Sequence, residues 1–178
     1  AKANGNHTWE RKKMELQEAI RNRRSIRRYR NTPVEDDKIR RVIEAGLWAP
    51  YANERWRFAV VRNEVTKRAI SSQRHILQAP VDIVVLADLR GADKRDAELY
   101  AIQETAAAIQ NMLLAAHEEG LSTCWNGEFD DKAVCELLKA PEAYRPVAVI
   151  SIGYPAEKPA PPERRPFDQV VSFETISG

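Results

Sequence analysis

The chain has 178 residues, of which 30% are charged and 43% are apolar, values typical of one soluble globular domain. Its formal net charge is only +2, which argues against a protein that lives on DNA or RNA. A run of about 18 apolar residues is missing, and so is a signal-peptide pattern, so we expect no membrane span and a cytoplasmic location. We expect a single domain over residues 1–178, with a flexible start over residues 1–8.

The cysteines and histidines indicate no metal site. Cys124 and Cys135 lack the spacing of metal ligands and are predicted to be reduced thiols inside the fold. His7, His75 and His117 are scattered along the chain. We therefore expect no bound metal.

Apolar periodicity predicts helices alternating with strands. In chain order these are helices over residues 9–22 and about 35–48, a strand over 56–61, a helix over 66–78, a strand over 81–87, a long helix over about 92–119 closed by Gly120, a strand over 121–125, a helix from the N-cap Asp130 through 139, and a strand over 147–152. Residues 167–176 are expected to add an edge strand. This order indicates a layered α/β or α+β domain. No Gly-x-Gly-x-x-Gly and no P-loop occur, which disfavours a Rossmann fold.

Residues 21–30 contain six arginines around one hydroxyl residue, Ser25. Guanidinium groups present a planar fork that suits phosphate oxygens, so we hypothesise that a phosphate-bearing cofactor binds here. Two alternatives remain open: solvated charge at a helix end, and a nucleic-acid-binding arm. Ile20, Ile26 and Tyr29 interrupt the charges and give the segment an apolar side, which favours a folded site.

The composition changes after residue 153. Five prolines lie between Pro155 and Pro166, so this segment is expected to be extended, with polyproline character. Arg164 and Arg165 stand near its end.

Four segments, in order over roughly residues 20–171, resemble the FMN-dependent nitroreductase family. They are Arg23-Arg24-Ser25-Ile26-Arg27 with Tyr29 and Pro33-Val34; the helix end Trp48-Ala49-Pro50; residues 110–116 followed by 120–127; and residues 153–159 followed by 164–167 and Val170-Val171. Each segment alone is weak, but all four at family-like spacing are specific.

The resemblance implies an α+β fold, a nitroreductase-like three-layer sandwich with a mixed central β-sheet flanked by helices. It also implies an intertwined homodimer with FMN at the subunit interface. Residues 155–178 would form a proline-rich C-terminal extension that wraps the partner subunit.

The same resemblance implies a set of cofactor-binding residues. Arg23, Ser25 and Arg27 would hold the phosphate, ribityl chain and pyrimidine edge of the flavin, and Arg164 or Arg165 would add a phosphate contact. The loop after Pro50 would reach the flavin from the partner subunit, and the turn at residues 125–127 would lie against the ring. The full set is Arg23, Arg24, Ser25, Arg27, Pro50, Tyr51, Asn53, Trp125, Asn126, Gly127, Arg164 and Arg165.

The implied activity is two-electron, ping-pong transfer from NADH or NADPH through FMN to a nitroaromatic, quinone or similar small acceptor. The flavin carries the hydride and a nearby guanidinium favours two-electron chemistry, so we name no catalytic side chain. Alternatives are a flavoprotein of this family that dehalogenates or fragments flavin, flavin binding without turnover, and, more remotely, a basic nucleic-acid-binding module.

Two features depart from the family pattern. The loop after Pro50 is shorter, with Tyr51 in place of a serine and without a Gln-Pro pair, so Tyr51 is expected to fill space near the flavin. Glu104 stands where relatives commonly carry Asp. We interpret it as a solvated helix carboxylate in preference to a pocket residue.

Overall fold

A four-stranded sheet forms the middle layer of the fold. The computed structural model describes residues 14–176, and the strands are β1 (Trp56–Val61), β2 (Val81–Asp88), β3 (Ser122–Asn126) and β4 (Tyr144–Gly153). Their order in the sheet is β1-β2-β4-β3, and each neighbouring pair is antiparallel. Every residue of the central strand β2 is buried, which explains its almost unbroken apolar sequence.

Helices cover both faces of this sheet. They are α1 (Leu16–Asn22), α2 (Asp36–Leu47), α3 (Glu64–Ile70), α4 (Arg74–Gln78), α5 (Ala101–Glu118) and α6 (Asp131–Leu138), with a π-helical turn over Asp96–Tyr100 and a 3-10 turn over Phe167–Gln169. Among the described residues, no helix has the length and apolar character needed to cross a membrane.

Each face of the sheet has its own apolar core. On one face, α2 and α5 pack Val42, Ile109 and Met112 against Ile83 and Ile150. On the other face, α3, α4 and α6 pack Ile70, Ile76, Val134 and neighbouring residues against Val84 and Val149. This three-layer arrangement confirms the predicted α+β sandwich.

The predicted elements need some changes at their ends. The helix expected over residues 9–22 begins at Leu16 within the described part, and residues 9–13 lie outside it. The helix expected over 66–78 is two helices, because Ser71 adopts an extended conformation between them. Gly120 follows α5 with φ +74°, as its predicted role at the helix end requires.

Two predictions about the sheet were wrong. The expected mixed sheet is antiparallel across all four strands, and parallel pairing in the described chain is limited to an isolated bridge between Ser25 and Thr123. The expected edge strand over 167–176 is absent from these described residues, where a 3-10 turn is followed by irregular chain. Phe173 and Ile176 are 80% and 91% exposed, so their apolar alternation has no sheet edge to pack on within this chain.

Candidate functional site

The arginine segment lies alongside the edge strand β3. Ser25 pairs with Thr123, and the backbone N–H of Ile26 donates to the Thr123 carbonyl at 2.9 Å. Ile26 is buried and Tyr29 is half-buried, whereas Ile20 is 47% exposed and does not anchor the segment as expected. The segment is thus part of the folded sheet edge, which weighs against a disordered nucleic-acid-binding arm.

The start of the proline-rich extension also contacts this segment and helps to hold it in place. The backbone N–H groups of Arg27 and Arg28 both donate to Glu157 Oε1, at 2.6 and 3.1 Å. Tyr29 forms an isolated bridge with Pro155, and its hydroxyl donates to the Ile26 carbonyl. The path of the arginine segment is therefore fixed by contacts distant in sequence.

The guanidinium groups of Arg23 and Arg24, at the beginning of this segment, form a cluster with that of Arg164. Burial, and then the like charges of Arg24 and Arg164, lower the pKa of Arg23 below its ordinary value. The Arg24 guanidinium donates to the carbonyls of Arg21 and Arg23, at 2.6 and 2.7 Å. None of the three makes an ion pair with a carboxylate of the described chain, and Arg165 is exposed and makes no contact described for this cluster. Clustered guanidinium groups, one of them partly desolvated and none in an ion pair with a described carboxylate, are suited to an anion such as phosphate.

His117 on α5 stands beside this cluster. Burial lowers the pKa of its ring below the ordinary value, and the positive charges of Arg23 and Arg24 act in the same direction, while Glu18 opposes them. The imidazole is therefore biased toward its neutral form. A neutral ring next to the arginines can donate one hydrogen bond and accept another.

A large basic cavity of about 1020 Å³ opens on the other side of the arginine segment, against α3 and α4. Its charged lining is Arg27, Arg28, Arg30, Arg62, Lys67 and Arg74, with Glu64 and Glu157, and His75 also lines it. This volume is at the upper end of the range of small-molecule and cofactor sites. The excess of cations favours ligands that present acceptor oxygens.

Residues 125–127 lie at the end of β3, and their side chains differ in exposure. Trp125 is 40% exposed, whereas Asn126 is 5% exposed and its amide is hydrogen-bonded inside the fold. A Cβ added at Gly127 would meet no atom within 4 Å. The Asn126 side chain thus points inward, and open space lies over Gly127, where a ligand can approach the backbone.

The loop after Pro50 is held by Glu104, which is 4% exposed. Glu104 Oε2 accepts the backbone N–H groups of Ala52 and Asn53 at 3.0 and 3.1 Å, and Oε1 accepts that of Arg55. The expectation of a solvated helix carboxylate was therefore wrong. A buried carboxylate with three backbone donors organises this shortened loop.

Side chains of the loop are largely occupied within the chain. Tyr51 is 59% exposed and meets Trp56 edge to face at 5.6 Å between ring centroids. Asn53 Nδ2 donates to Asp96 Oδ1 at 2.8 Å, and Pro50 is exposed.

The structure brings together only part of the expected site. Residues 23–27 lie against β3, but the loop of residues 50–53 precedes β1, the opposite edge strand of the sheet. These two groups of residues therefore belong to different edges of one chain.

Sequence reasoning gave no role to three residues at these places, which are His75 in the basic cavity, His117 beside the arginines and Glu157, and it misinterpreted Glu104. The two carboxylates act on backbone N–H groups 130 and 49 positions away, at Arg27 and Arg55, so no local pattern marks them. In the sequence, His75 and His117 differed from His7 only in lying within predicted helices.

Comparison with known proteins gives a consistent result. The family model described as "Nitroreductase family" matches residues 20–73 and 71–154. A Methanothermobacter thermautotrophicus protein with the provisional name NADH dehydrogenase/NAD(P)H nitroreductase is 36% identical over 157 residues, covering 83% of this chain and 81% of its own. A Thermus thermophilus NADH dehydrogenase is 33% identical over 195 residues, covering 89% and 95%. The solved structure of an FMN-dependent nitroreductase from Clostridium difficile R20291 is 28% identical, with a TM-score of 0.75 over 89% of this chain and 98% of that one.

Proposed function

The chain belongs to the nitroreductase family, and from this premise we propose that it is an FMN-dependent oxidoreductase that uses NADH or NADPH to reduce a nitroaromatic, quinone or similar small acceptor. The names of its relatives, which include an NADH dehydrogenase and an FMN-dependent nitroreductase, support both the nicotinamide reductant and the flavin. When bound, FMN supplies reversible two-electron redox chemistry, in ping-pong fashion between the two substrates.

The observation that carries this proposal is the group formed by Arg23, Arg24 and Arg164. Burial, and then the like charges of Arg24 and Arg164, lower the pKa of Arg23, and none of the three pairs with a described carboxylate. A phosphate monoester would supply the missing counter-charge. Ser25, which pairs with β3 in this segment, would offer a hydroxyl to the same ligand.

The remaining expected contacts fit a flavin that lies along β3. Arg27 lines the basic cavity and would donate to the pyrimidine edge of the ring. Open space above Gly127, with Trp125 beside it, would allow the ring to approach the backbone. We propose no catalytic side chain, because these residues bind and orient the cofactor.

We further propose that the active unit is a homodimer. The loop with Pro50, Tyr51 and Asn53 lies at the opposite edge of the sheet from the arginine segment, and this separation supports a flavin site completed by the loop of a second chain. Exposed apolar residues at the two ends of the described chain, including Leu16, Phe173 and Ile176, are available for such an interface.

Comparing FMN with riboflavin tests the phosphate contact directly. Titration of the flavin-free protein, followed by quenching of flavin fluorescence, should give tighter binding of FMN than of riboflavin. Replacing Arg23 and Arg24 by Gln should remove most of this preference, because two charge-assisted contacts are lost. Arg68→Gln, on an exposed face of α3, is the matched control. Equal affinity of wild type for the two flavins would contradict the assignment.

A further inference from the structure

Buried polar residues from four elements form one hydrogen-bonded network that ends at His75. Its members Lys67, Asp82, Ser151 and Asn126 lie on α3, β2, β4 and β3, and none is more than 5% exposed. Polar groups buried to this extent are normally paired, and their donors and acceptors fix one another's orientation.

At the Lys67 end of this network, the direction of each hydrogen bond can be assigned. Lys67 Nζ lies 3.3 Å from Asp82 Oδ2, an ion pair, and the Ser151 hydroxyl donates to Asp82 Oδ1 at 2.7 Å. A hydroxyl has one hydrogen, so Ser151 Oγ can only accept from Asn126 Nδ2, which lies 3.1 Å away. When Asp82 is charged, the hydrogen bonds of Ser151 and Asn126 are therefore both directed toward its carboxylate.

The other end of this network places a hydrogen on one nitrogen of the His75 ring. Asn126 Nδ2 also donates to the Val149 carbonyl at 2.8 Å, which leaves no choice about the orientation of the amide. Its oxygen, Oδ1, therefore faces His75 Nε2. An amide oxygen can only accept, so Nε2 must carry the proton.

The other ring nitrogen of His75 is left to the cavity. Nδ1 makes no hydrogen bond within the described part of the chain, and the ring lines the basic cavity with Arg27, Arg28 and Arg74. In a neutral ring protonated at Nε2, Nδ1 is an acceptor. An acceptor among guanidinium donors matches a ligand edge on which an N–H lies between carbonyl oxygens, as in a cyclic imide.

We propose that Asn126 is a positioning residue that, held by Ser151 and Asp82, keeps His75 in the Nε2–H form so that Nδ1 accepts from the N–H of an imide-type ligand. Under the proposed function this ligand group is the pyrimidine edge of FMN. The identity of the ligand rests on that function, whereas the protonation of His75 does not. The side chain of Asn126, expected from the sequence to meet the flavin ring, acts instead from within the fold.

The first test reads the ring directly in the flavin-free protein. Long-range ¹H–¹⁵N correlation spectra of the ¹⁵N-labelled full chain at mildly alkaline pH distinguish protonated from unprotonated imidazole nitrogens. A His75→Gln spectrum identifies the signals of His75 against those of the other histidines. We expect an unprotonated Nδ1 and a protonated Nε2. A protonated Nδ1, or averaged signals from both forms, would overturn the proposal without bearing on whether the protein binds FMN.

The second test asks whether Asn126 acts through His75. FMN affinity is measured for Asn126→Leu, His75→Leu and the double variant, with Ser72→Ala on the exposed linker before α4 as the control. Each single change should weaken binding about tenfold, the effect of one lost hydrogen bond, and the double variant should bind no more weakly than His75→Leu. Independent, additive losses would mean that Asn126 has a merely structural role. If Asn126→Leu does not fold, Ser151→Ala replaces it. If the wild-type protein does not bind FMN, the proposed function is refuted, and the NMR spectrum of His75 still decides whether Nε2 carries the proton.

Discussion

The carboxylate of Glu104, in the first turn of α5, accepts the backbone N–H of Asn53 at 3.1 Å. It joins a buried helix to the loop that, in our proposal, reaches the flavin of the second subunit. Between the two clamped residues Asn53 and Arg55, Glu54 adopts a left-handed φ of +54°, a conformation that costs free energy for a residue other than glycine. The three hydrogen bonds to Glu104 offset that cost and determine the shape of the shortened loop.

Glu104→Gln should lower the free energy of unfolding by about 1–3 kcal/mol, because one amide oxygen cannot serve the three N–H groups that two carboxylate oxygens now accept. Urea denaturation measures the effect. The control, Glu64→Gln, removes an exposed helix carboxylate that pairs with Arg68 and should cost less than about 0.5 kcal/mol. Equal stability of the two variants would show that Glu104 does not hold the loop.

The buried Lys67–Asp82 pair should be more sensitive to the loss of one charge than of both. Burial raises the pKa of Asp82 to about 7, so the comparison is made at mildly alkaline pH, where the carboxylate is charged. Asp82→Asn leaves the Lys67 ammonium unpaired and should cost about 3–5 kcal/mol in unfolding free energy. The double variant Lys67→Met with Asp82→Asn should recover most of this loss. A double variant less stable than Asp82→Asn would contradict the account of the pair.

Asp88 should make the free energy of unfolding depend on pH. Hydrogen bonds from Arg90 hold the pKa of its carboxyl well below the ordinary value of 3.8, so the folded state favours the charged form. The stability that this provides is present above the unfolded-state pKa and is lost as the pH falls toward the depressed folded-state value. Asp88→Asn should therefore destabilise the protein at neutral pH, and the difference from wild type should shrink below about pH 4. A difference in unfolding free energy that does not change with pH would contradict this.

Glu157 should control the mobility of the arginine segment. Glu157→Ala removes the acceptor shared by the Arg27 and Arg28 N–H groups, so hydrogen exchange at these two amides should become faster and FMN should bind more weakly. Glu163→Ala, an exposed site on the same proline-rich segment, is the control. Unchanged exchange at both amides in Glu157→Ala would show that Glu157 does not hold the segment.

The parts of the fold that local pattern determines could be predicted from the sequence. The apolar run at β2 and the N-cap Asp130, whose side chain accepts the N–H of Ala133, were both predicted correctly. The edge strand over residues 167–176 was predicted wrongly, because strand formation depends on a partner edge that the sequence cannot supply. Glu104 was misinterpreted for a similar reason: whether a helix carboxylate is solvated depends on which loop folds over it.

Prediction of the candidate site was limited in the same way. The Arg23-to-Arg27 motif could be recognised because its residue types and spacing are local, whereas its position along β3 depends on contacts with Thr123 that are distant in sequence. The orientation of Asn126 could not be predicted, since it depends on Ser151 and Val149 in a strand that comes later in the chain.

The central claim, that this is a nicotinamide-dependent FMN oxidoreductase, is tested most directly by an absorption spectrum of the protein reconstituted with FMN, before and after anaerobic addition of NADH or NADPH. We predict that the flavin absorption remains with the protein through gel filtration and bleaches when one of the nicotinamides is added, and that a quinone or nitroaromatic then restores it. Retained flavin that neither nicotinamide bleaches would contradict the proposed reductant, and loss of all flavin during gel filtration would contradict the assigned site.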